Sequence, residues 1–360
     1  MKYNICLLTK KSFCFVLFFF VFLCFSVEGQ AKTIRLQSPG NGDYVNLSNP
    51  EIRKWWNNYR EGTTRNSSQK EYTNPDPVKL VWEKVDGYTY KVYVSTKPDF
   101  SHKRVYDSRN NTEELTMLYR DTKYYWKVIG IKGKHIITSN TRMFRTNNIT
   151  RFIKVKNVPN FRDLGGYETY SNKEIKQGLI YRSSNLDKIP ESEKRLLKVE
   201  LNIKTDLDLR EKGEGKGGTK SPAGLKYIHI AGTQYEQAFK NKYRRSQLAK
   251  EVKVFANKSN YPIVFHCTYG RDRTGTLAFM INGLLGVTKK DLFRDYELTY
   301  MTKNSSSTAK ERLARFKDFY NQMRSYRNSK RPLSYNIECY LLDNGVTKGE
   351  IASIKNILLK

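Results

Sequence analysis

Cysteine is scarce in this chain. It has five among 360 residues, and three of them, Cys6, Cys14 and Cys24, lie near the N-terminus. Only Cys267 and Cys339 remain beyond, too few for the disulfide framework that stabilises small exported domains. The fold must therefore stand on its core. Histidine is scarcer, with four at positions 102, 135, 229 and 266, and their scatter offers no metal-ligand spacing. No metal or other cofactor is expected. Acidic residues number 35 against 65 Lys and Arg, for a net charge of +30. Such an excess concentrates anions at the surface, whether nucleic acid, acidic lipid or phosphorylated groups, but charge alone selects none of them. Long apolar runs are missing as well. The longest covers residues 13–27, 15 residues in all, against the roughly 20 that a membrane-spanning helix needs.

That run has a different reading. Lys2, Lys10 and Lys11 precede it, and the small residues Gly29 and Ala31 follow. A basic start, a short apolar stretch and a small-residue exit describe a secretory signal peptide. Residues 1–29 are accordingly expected to be removed, leaving a mature chain that is secreted, in the periplasm or outside the cell. At 38% hydrophobic and 13% aromatic residues, that chain has the composition of a folded protein.

Two periods divide the remainder. Between residues 33 and 146, apolar side chains alternate with polar ones: Val78, Leu80, Trp82; Tyr88, Tyr90, Val92, Val94; Tyr124, Trp126, Val128. A period of two with turn signals such as Asp86-Gly87 predicts antiparallel strands with one buried face, and short strands with aromatic cores suggest two packed sheets. Residues 49–77, with Trp55 and Trp56 among many polar residues, read as an insertion without an assigned place. After a polar linker near residues 147–150 the pattern changes. Extended runs at 179–181, 203–209, 227–230 and 263–265 alternate with helical segments at 274–285, 309–325 and from Thr347 onward, where Thr347 and Glu350 are spaced as a capping box. Strands alternating with helices predict an α/β domain with a central, mostly parallel sheet flanked by helices.

The chemistry concentrates at residues 261–275, Tyr-Pro-Ile-Val-Phe-His-Cys-Thr-Tyr-Gly-Arg-Asp-Arg-Thr-Gly. A short apolar strand runs into Cys267, and a helix starts just after Arg273. A loop at a helix N-terminus gathers unsatisfied N–H groups and the positive dipole end around one point, which suits an anion such as phosphate. The same field lowers the pKa of Cys267, so a thiolate nucleophile exists at neutral pH. Arg273 offers a planar fork for two phosphate oxygens, Gly270 permits close backbone approach, and Thr274 can donate to the sulfur when it leaves. Thr268, Tyr269 and Arg271 complete the binding loop.

His266-Cys-X5-Arg273-Thr274 resembles the signature of protein tyrosine phosphatases. The sequence is similar in particular to their secreted bacterial tyrosine/lipid branch, whose loop reads His-Cys-X-X-Gly-Lys-Asp-Arg-Thr-Gly; Arg271 stands here for the lysine and keeps its charge. Asn160-Phe-Arg-Asp-Leu-Gly-Gly, Leu179-Ile-Tyr-Arg-Ser-Ser, Asp208-Leu-Arg with Glu214, and the tail 340–347 fit the same branch, so the resemblance covers roughly 151–360. It implies hydrolysis of phosphomonoesters, phosphotyrosine with phosphoserine, phosphothreonine or phosphoinositides as further candidates, through a phosphocysteine at Cys267. The partner implied is a phosphorylated protein or a phosphoinositide, with no nucleic acid and with room for peripheral contact with an anionic membrane. Residues 118–128, where Tyr124 leads Trp126, resemble the penultimate strand of fibronectin type III domains. The expected division is therefore a signal peptide at 1–29, a fibronectin type III-like sandwich with an insertion at 30–148, and a catalytic domain at 149–360. All the phosphatase motifs lie past residue 150, so that part is expected to fold and act alone.

One departure from the family concerns the acid that protonates the leaving oxygen. The loop after residues 227–230 reads Ala-Gly-Thr-Gln-Tyr-Glu-Gln and has no aspartate. Asp272, inside the phosphate loop, is favoured over Glu236 for that task; its other reading is to orient Arg271 or Arg273 by a salt bridge. Arg162, Asp163 and Arg210, in turn-rich motifs, are expected to hold loops together rather than to touch substrate.

Overall fold

The computed structural model describes residues 33–62, 71–302 and 308–360. The apolar run at 13–27, with its signal-peptide reading, lies outside the described residues, as does the middle of the insertion.

The alternating region forms two sheets. Strands β1 (Leu36–Ser38), β3 (Val78–Trp82) and β6 (Thr112–Leu115) make one, in the order β1-β3-β6. The other holds β2 (Asp43–Val45), β4 (Thr89–Ser95), β5 (Lys103–Ser108), β7 (Lys123–Lys132), β8 (His135–Thr138) and β9 (Arg142–Thr146), in the order β2-β9-β7-β4-β5 with β8 on β7. Every pairing is antiparallel except β2 with β9. The period of two does what it predicts: Leu80, Trp82, Val92, Trp126, Val128 and Phe144 meet in one core. Tyr124 accepts a hydrogen bond from the Tyr119 N–H at 2.8 Å.

The second region is built on a five-stranded sheet of β10 (Arg162–Asp163), β11 (Ile180–Ser183), β12 (Thr205–Asp208), β13 (Lys226–His229) and β14 (Ile263–His266), in the order β10-β11-β14-β12-β13. Only β10 runs antiparallel. Central β14 is apolar on both faces because both are covered: Ile263 and Phe265 pack into the larger core, Val264 into a smaller one with Tyr181 and Leu197. Around the sheet lie α2 (Glu191–Arg195), α3 (Gln237–Lys240), α4 (Lys242–Lys253), α5 (Asp272–Leu284), α6 (Lys289–Glu297), α7 (Ala309–Arg324), α8 (Leu333–Asp343) and α9 (Lys348–Leu358). Helix α5 starts two residues before the sequence suggests and is buried along nearly its whole length. The capping box of Thr347 and Glu350 opens α9. This is the α/β architecture, a mostly parallel sheet flanked by helices, that the alternation of strands and helices predicts.

The boundary near residue 148 is less clean than the sequence suggests. The insertion contains helix α1 (Pro50–Asn57), capped by the Asn49 side chain accepting from the Ile52 N–H at 3.0 Å. Its buried residues Ile52 and Trp56 belong to the core of the second region, not the first. Beyond it, the Tyr59 hydroxyl and the Gly62 N–H donate to Glu297 Oε1 at 2.6 and 3.2 Å. Eight residues of amphipathic helix cannot bury themselves, and the apolar partner they found is distant in sequence.

Burial pushes the Glu297 carboxyl up to about 7, against the pull of its Tyr59 and Gly62 donors. Its folded value stands above the unfolded one, so the stability it contributes is complete at low pH and is lost as pH rises toward and through about 7. In Glu297→Gln that loss should vanish. The stability of the wild type relative to this variant should fall by on the order of 2 kcal/mol between about pH 5 and about pH 8 in urea titrations. A pH-independent difference would show Glu297 ionised throughout.

Candidate active site

Strand β14 delivers Cys267 to the C-terminal edge of the parallel strands, where α/β sheets bind ligands, and α5 begins five residues later. The intervening turn is held from outside by its carbonyl groups. Thr268 O accepts from the Asn185 N–H at 3.2 Å and from Asn185 Nδ2 at 2.9 Å. Tyr269 O accepts from Asn160 Nδ2 at 3.3 Å. Gly270 O accepts from Asn160 Nδ2 at 3.0 Å and from Arg182 Nη2 at 2.6 Å. A trans peptide points its N–H away from its carbonyl, so the N–H groups of Tyr269, Gly270 and Arg271 face the other way, into a cradle. Gly270 has φ +67°, and a Cβ there would lie 2.2 Å from the Ser183 carbonyl oxygen. No other residue fits.

The clamps are themselves clamped. Asp295 on α6 takes Arg162 Nε at 2.7 Å and Arg182 Nη1 at 2.5 Å, all three side chains being buried. Burial works against the Asp295 carboxylate, but the two arginines outweigh it and hold the group below its ordinary range. Asp163 likewise binds Arg151 Nη1 at 2.9 Å, and Arg210 binds Asp187 and Asp208 at 2.8 Å each. Arg162, Asp163 and Arg210 thus sit in the framework.

At the floor of the cradle Cys267 is almost fully buried. Burial alone would raise its thiol. The charge of Arg273 and the neighbouring Thr274 bring it below the usual value. Behind it, His266 Nε2 lies 2.9 Å from Asp206 Oδ1 with both groups buried. Burial disfavours the imidazolium, but Asp206 more than compensates and raises the His266 pKa.

Arg273 is fixed by a carboxylate fork. Its Nη1 and Nη2 donate to Glu214 Oε2 and Oε1 at 2.7 and 2.8 Å, and Nη1 also reaches Leu209 O at 3.2 Å. Arg273, helped by the Thr268 hydroxyl, pulls Glu214 down to about 2. Glu214 enters the sequence reading only as part of a family-like stretch. Asn160 enters in the same way, at the start of another such stretch, while Asn185 and Asp295 lie outside all of them.

The remaining loop residues are placed as follows. Tyr269 is half exposed at the rim, with the Arg271 guanidinium 5.7 Å from its ring. Arg271 is buried and paired with Asp272 Oδ1 at 3.1 Å through Nε. Asp272 does not stand as a free acid. Its carboxylate also takes Arg312 Nη1 at 3.1 Å and the Tyr235 hydroxyl. Burial tends to raise it, yet Arg271, Tyr235 and Arg312 hold it below the ordinary aspartate range. These pairings match the other reading of Asp272, a counter-charge that orients Arg271. Glu236 is no readier: Arg315 Nη2 holds it at 2.7 Å, and against its burial that pairing keeps it ionised.

A buried low-pKa thiol beneath converging N–H groups, with a clamped arginine beside it, is the equipment of a cysteine-dependent phosphatase. Residues 153–360 match the tyrosine phosphatase family, and the chain belongs to it. A Cupriavidus necator protein that bears the name of a tyrosine-protein phosphatase is 27% identical over 183 residues. The match takes in 44% of this chain and 66% of that one, so the chain spans just under two thirds of that relative. Among solved structures, the core catalytic domain of the PP-IP phosphatase Siw14 from S. cerevisiae, crystallised with citrate, is 22% identical. It covers 38% of this chain and 78% of its own with a TM-score of 0.28, as does a second structure of the Siw14 catalytic core. A likeness that low has no bearing on function.

Gly270→Ala tests the cradle. The added methyl should push the loop off Ser183 and lower kcat/KM by about a hundredfold or more, with vanadate affinity falling in parallel. Wild-type vanadate affinity in this variant would mean that the loop is not the anion site.

Proposed function

We propose that this protein hydrolyses phosphomonoesters, phosphotyrosine foremost, through a covalent phosphocysteine at Cys267. The observation that carries the reading is the Cys267 thiol, held below its usual pKa at the base of a loop whose Thr268, Tyr269 and Gly270 carbonyl groups are turned outward. The thiolate attacks phosphorus and the bond to the ester oxygen breaks. N–H groups of Tyr269, Gly270 and Arg271, with the donors of Arg273 left free by Glu214, take the equatorial oxygens as charge gathers there. Water then attacks the phosphocysteine, the sulfur–phosphorus bond breaks, and Thr274 stabilises the departing thiolate.

With Asp272 and Glu236 both held as carboxylates, little proton donation is at hand for the leaving oxygen. A phenol, with a pKa of about 10, departs more easily under these conditions than an aliphatic alcohol. This favours phosphotyrosine over phosphoserine, phosphothreonine or a phosphoinositide. The basic start and short apolar run near the N-terminus support an exported enzyme, and the +30 net charge supports peripheral contact with an anionic membrane. The two sheets, antiparallel but for the pairing of β2 with β9, and the Tyr124 hydroxyl bond support a fibronectin type III-like first domain.

Turnover of a phosphotyrosine peptide, a phosphoserine peptide and a phosphoinositide should be compared with the purified chain. Cys267→Ser should lose at least about a thousandfold in kcat while still binding substrate; turnover near the wild-type level would end the phosphocysteine reading. Asp272→Asn should slow aryl and alkyl phosphates equally and leave the alkaline limb of the rate–pH profile in place. A defect confined to alkyl phosphates would return the acid to position 272.

A further inference from the structure

We propose that residues 49–62, which precede the stretch matching the family, are part of the catalytic unit and position its phosphate loop from behind. The inference rests on the reading of residues 267–273 as a phosphate cradle.

Helix α6 has two working faces, and the spacing of its residues separates them. Arg294 and Glu297, three apart, face α1 and the segment after it. The Arg294 guanidinium stacks 4.6 Å from the Trp56 ring, and its Nη2 donates to Trp56 O at 3.3 Å. Glu297 collects the Tyr59 hydroxyl at 2.6 Å and the Gly62 N–H at 3.2 Å. Asp295, and Thr299 in the tight helical turn Leu298–Met301 that follows α6, face the loop. Asp295 holds Arg162 and Arg182, and Arg182 holds the Gly270 carbonyl at 2.6 Å. Thr299 Oγ1 lies 3.4 Å from Asn160 Nδ2, whose other acceptors are the Tyr269 and Gly270 carbonyls. Between them, Tyr296 shares a hydroxyl contact of 2.5 Å with Tyr235, which in turn bonds Asp272.

One side of α6 is therefore seated on residues 49–62 while the other orients the carbonyl groups that define the cradle. The steps through Asp295 and Arg182 are buried and short, at 2.5 to 2.7 Å. Loosening the seat lets α6 shift, and Asp295 carries both arginines with it. The Gly270 carbonyl then loses its orientation, and with it go the aim of the N–H groups that grip phosphate and the placement of Arg273 and Thr274, which lower the Cys267 pKa. Trp56 and Tyr59 are positioning residues that never touch substrate.

The test uses the full chain with Tyr59→Phe, Trp56→Ala and the pair together, each checked by circular dichroism at the assay temperature. The pH dependence of Cys267 alkylation by iodoacetate reports the thiol without any substrate, and vanadate affinity reports the cradle. In the double variant the thiol titration should move up by about half a unit or more, and vanadate should bind about tenfold more weakly. Tyr59→Phe alone, a change small enough to leave the fold intact, should move both in the same direction. A lower melting temperature with unchanged thiol titration and vanadate affinity would overturn the proposal and reduce the segment to a passive part of the core. Failure of the phosphatase reading would look different: the wild type itself would bind no vanadate and turn over no phosphate ester.

Discussion

The orientation of three carbonyl groups governs this site. Peptide planes are stiff, so tying Thr268 O, Tyr269 O and Gly270 O to Asn185, Asn160 and Arg182 aims the following N–H groups without any contact on the ligand side. The ties depend in turn on Asp295, whose two oxygens are divided between Arg162 and Arg182. A buried charge cluster of this kind adds little net stability, since desolvation offsets most of the attraction. Its value lies in geometry. Remove Asp295 and two buried guanidinium groups lose their partner, while the loop loses the bond that fixes Gly270.

The same economy operates on the ligand side. Arg273 must present its fork in one plane to an incoming phosphate, and Glu214 fixes that plane in advance by occupying the terminal nitrogens. Pre-set donors need no reorganisation as charge develops on the transferring group. His266 lies behind the thiol with its own counter-carboxylate on the neighbouring strand, at Asp206. The sheet thus supplies the electrostatics of the cysteine as well as its position.

What could be read from the sequence follows from how local each feature is. The strand, loop and helix that carry Cys267 and Arg273 occupy one contiguous stretch, so residue types and offsets disclose them. The parallel sheet was legible in the same way, through apolar runs alternating with helical ones. The pairing of Asp272 was not legible because its environment is assembled from afar: Tyr235 comes from the loop after β13, and Arg312 from α7. A sequence shows a carboxylate beside a phosphate loop but not the two arginines and the phenol that surround it. Asn160 and Arg182 are separated from their carbonyl acceptors by 110 and 88 residues, and neither residue type announces a loop clamp. Helix α1 escaped for a related reason. Eight residues with Trp56 on one face reveal that something will cover them, not which domain it is.

The seating of α1 in the larger core also changes how the two regions relate mechanically. Residues 147–150 look like a hinge, yet the chain is fastened on both sides of them. Arg120 and Gln177 exchange hydrogen bonds at 2.9 and 3.0 Å, and Arg151 Nη2 donates to Met117 O at 2.8 Å. Two bodies joined at several points do not behave as modules on a string. The β-rich region is therefore held at one fixed distance and angle from the cradle, rather than at the averaged separation that a flexible tether provides.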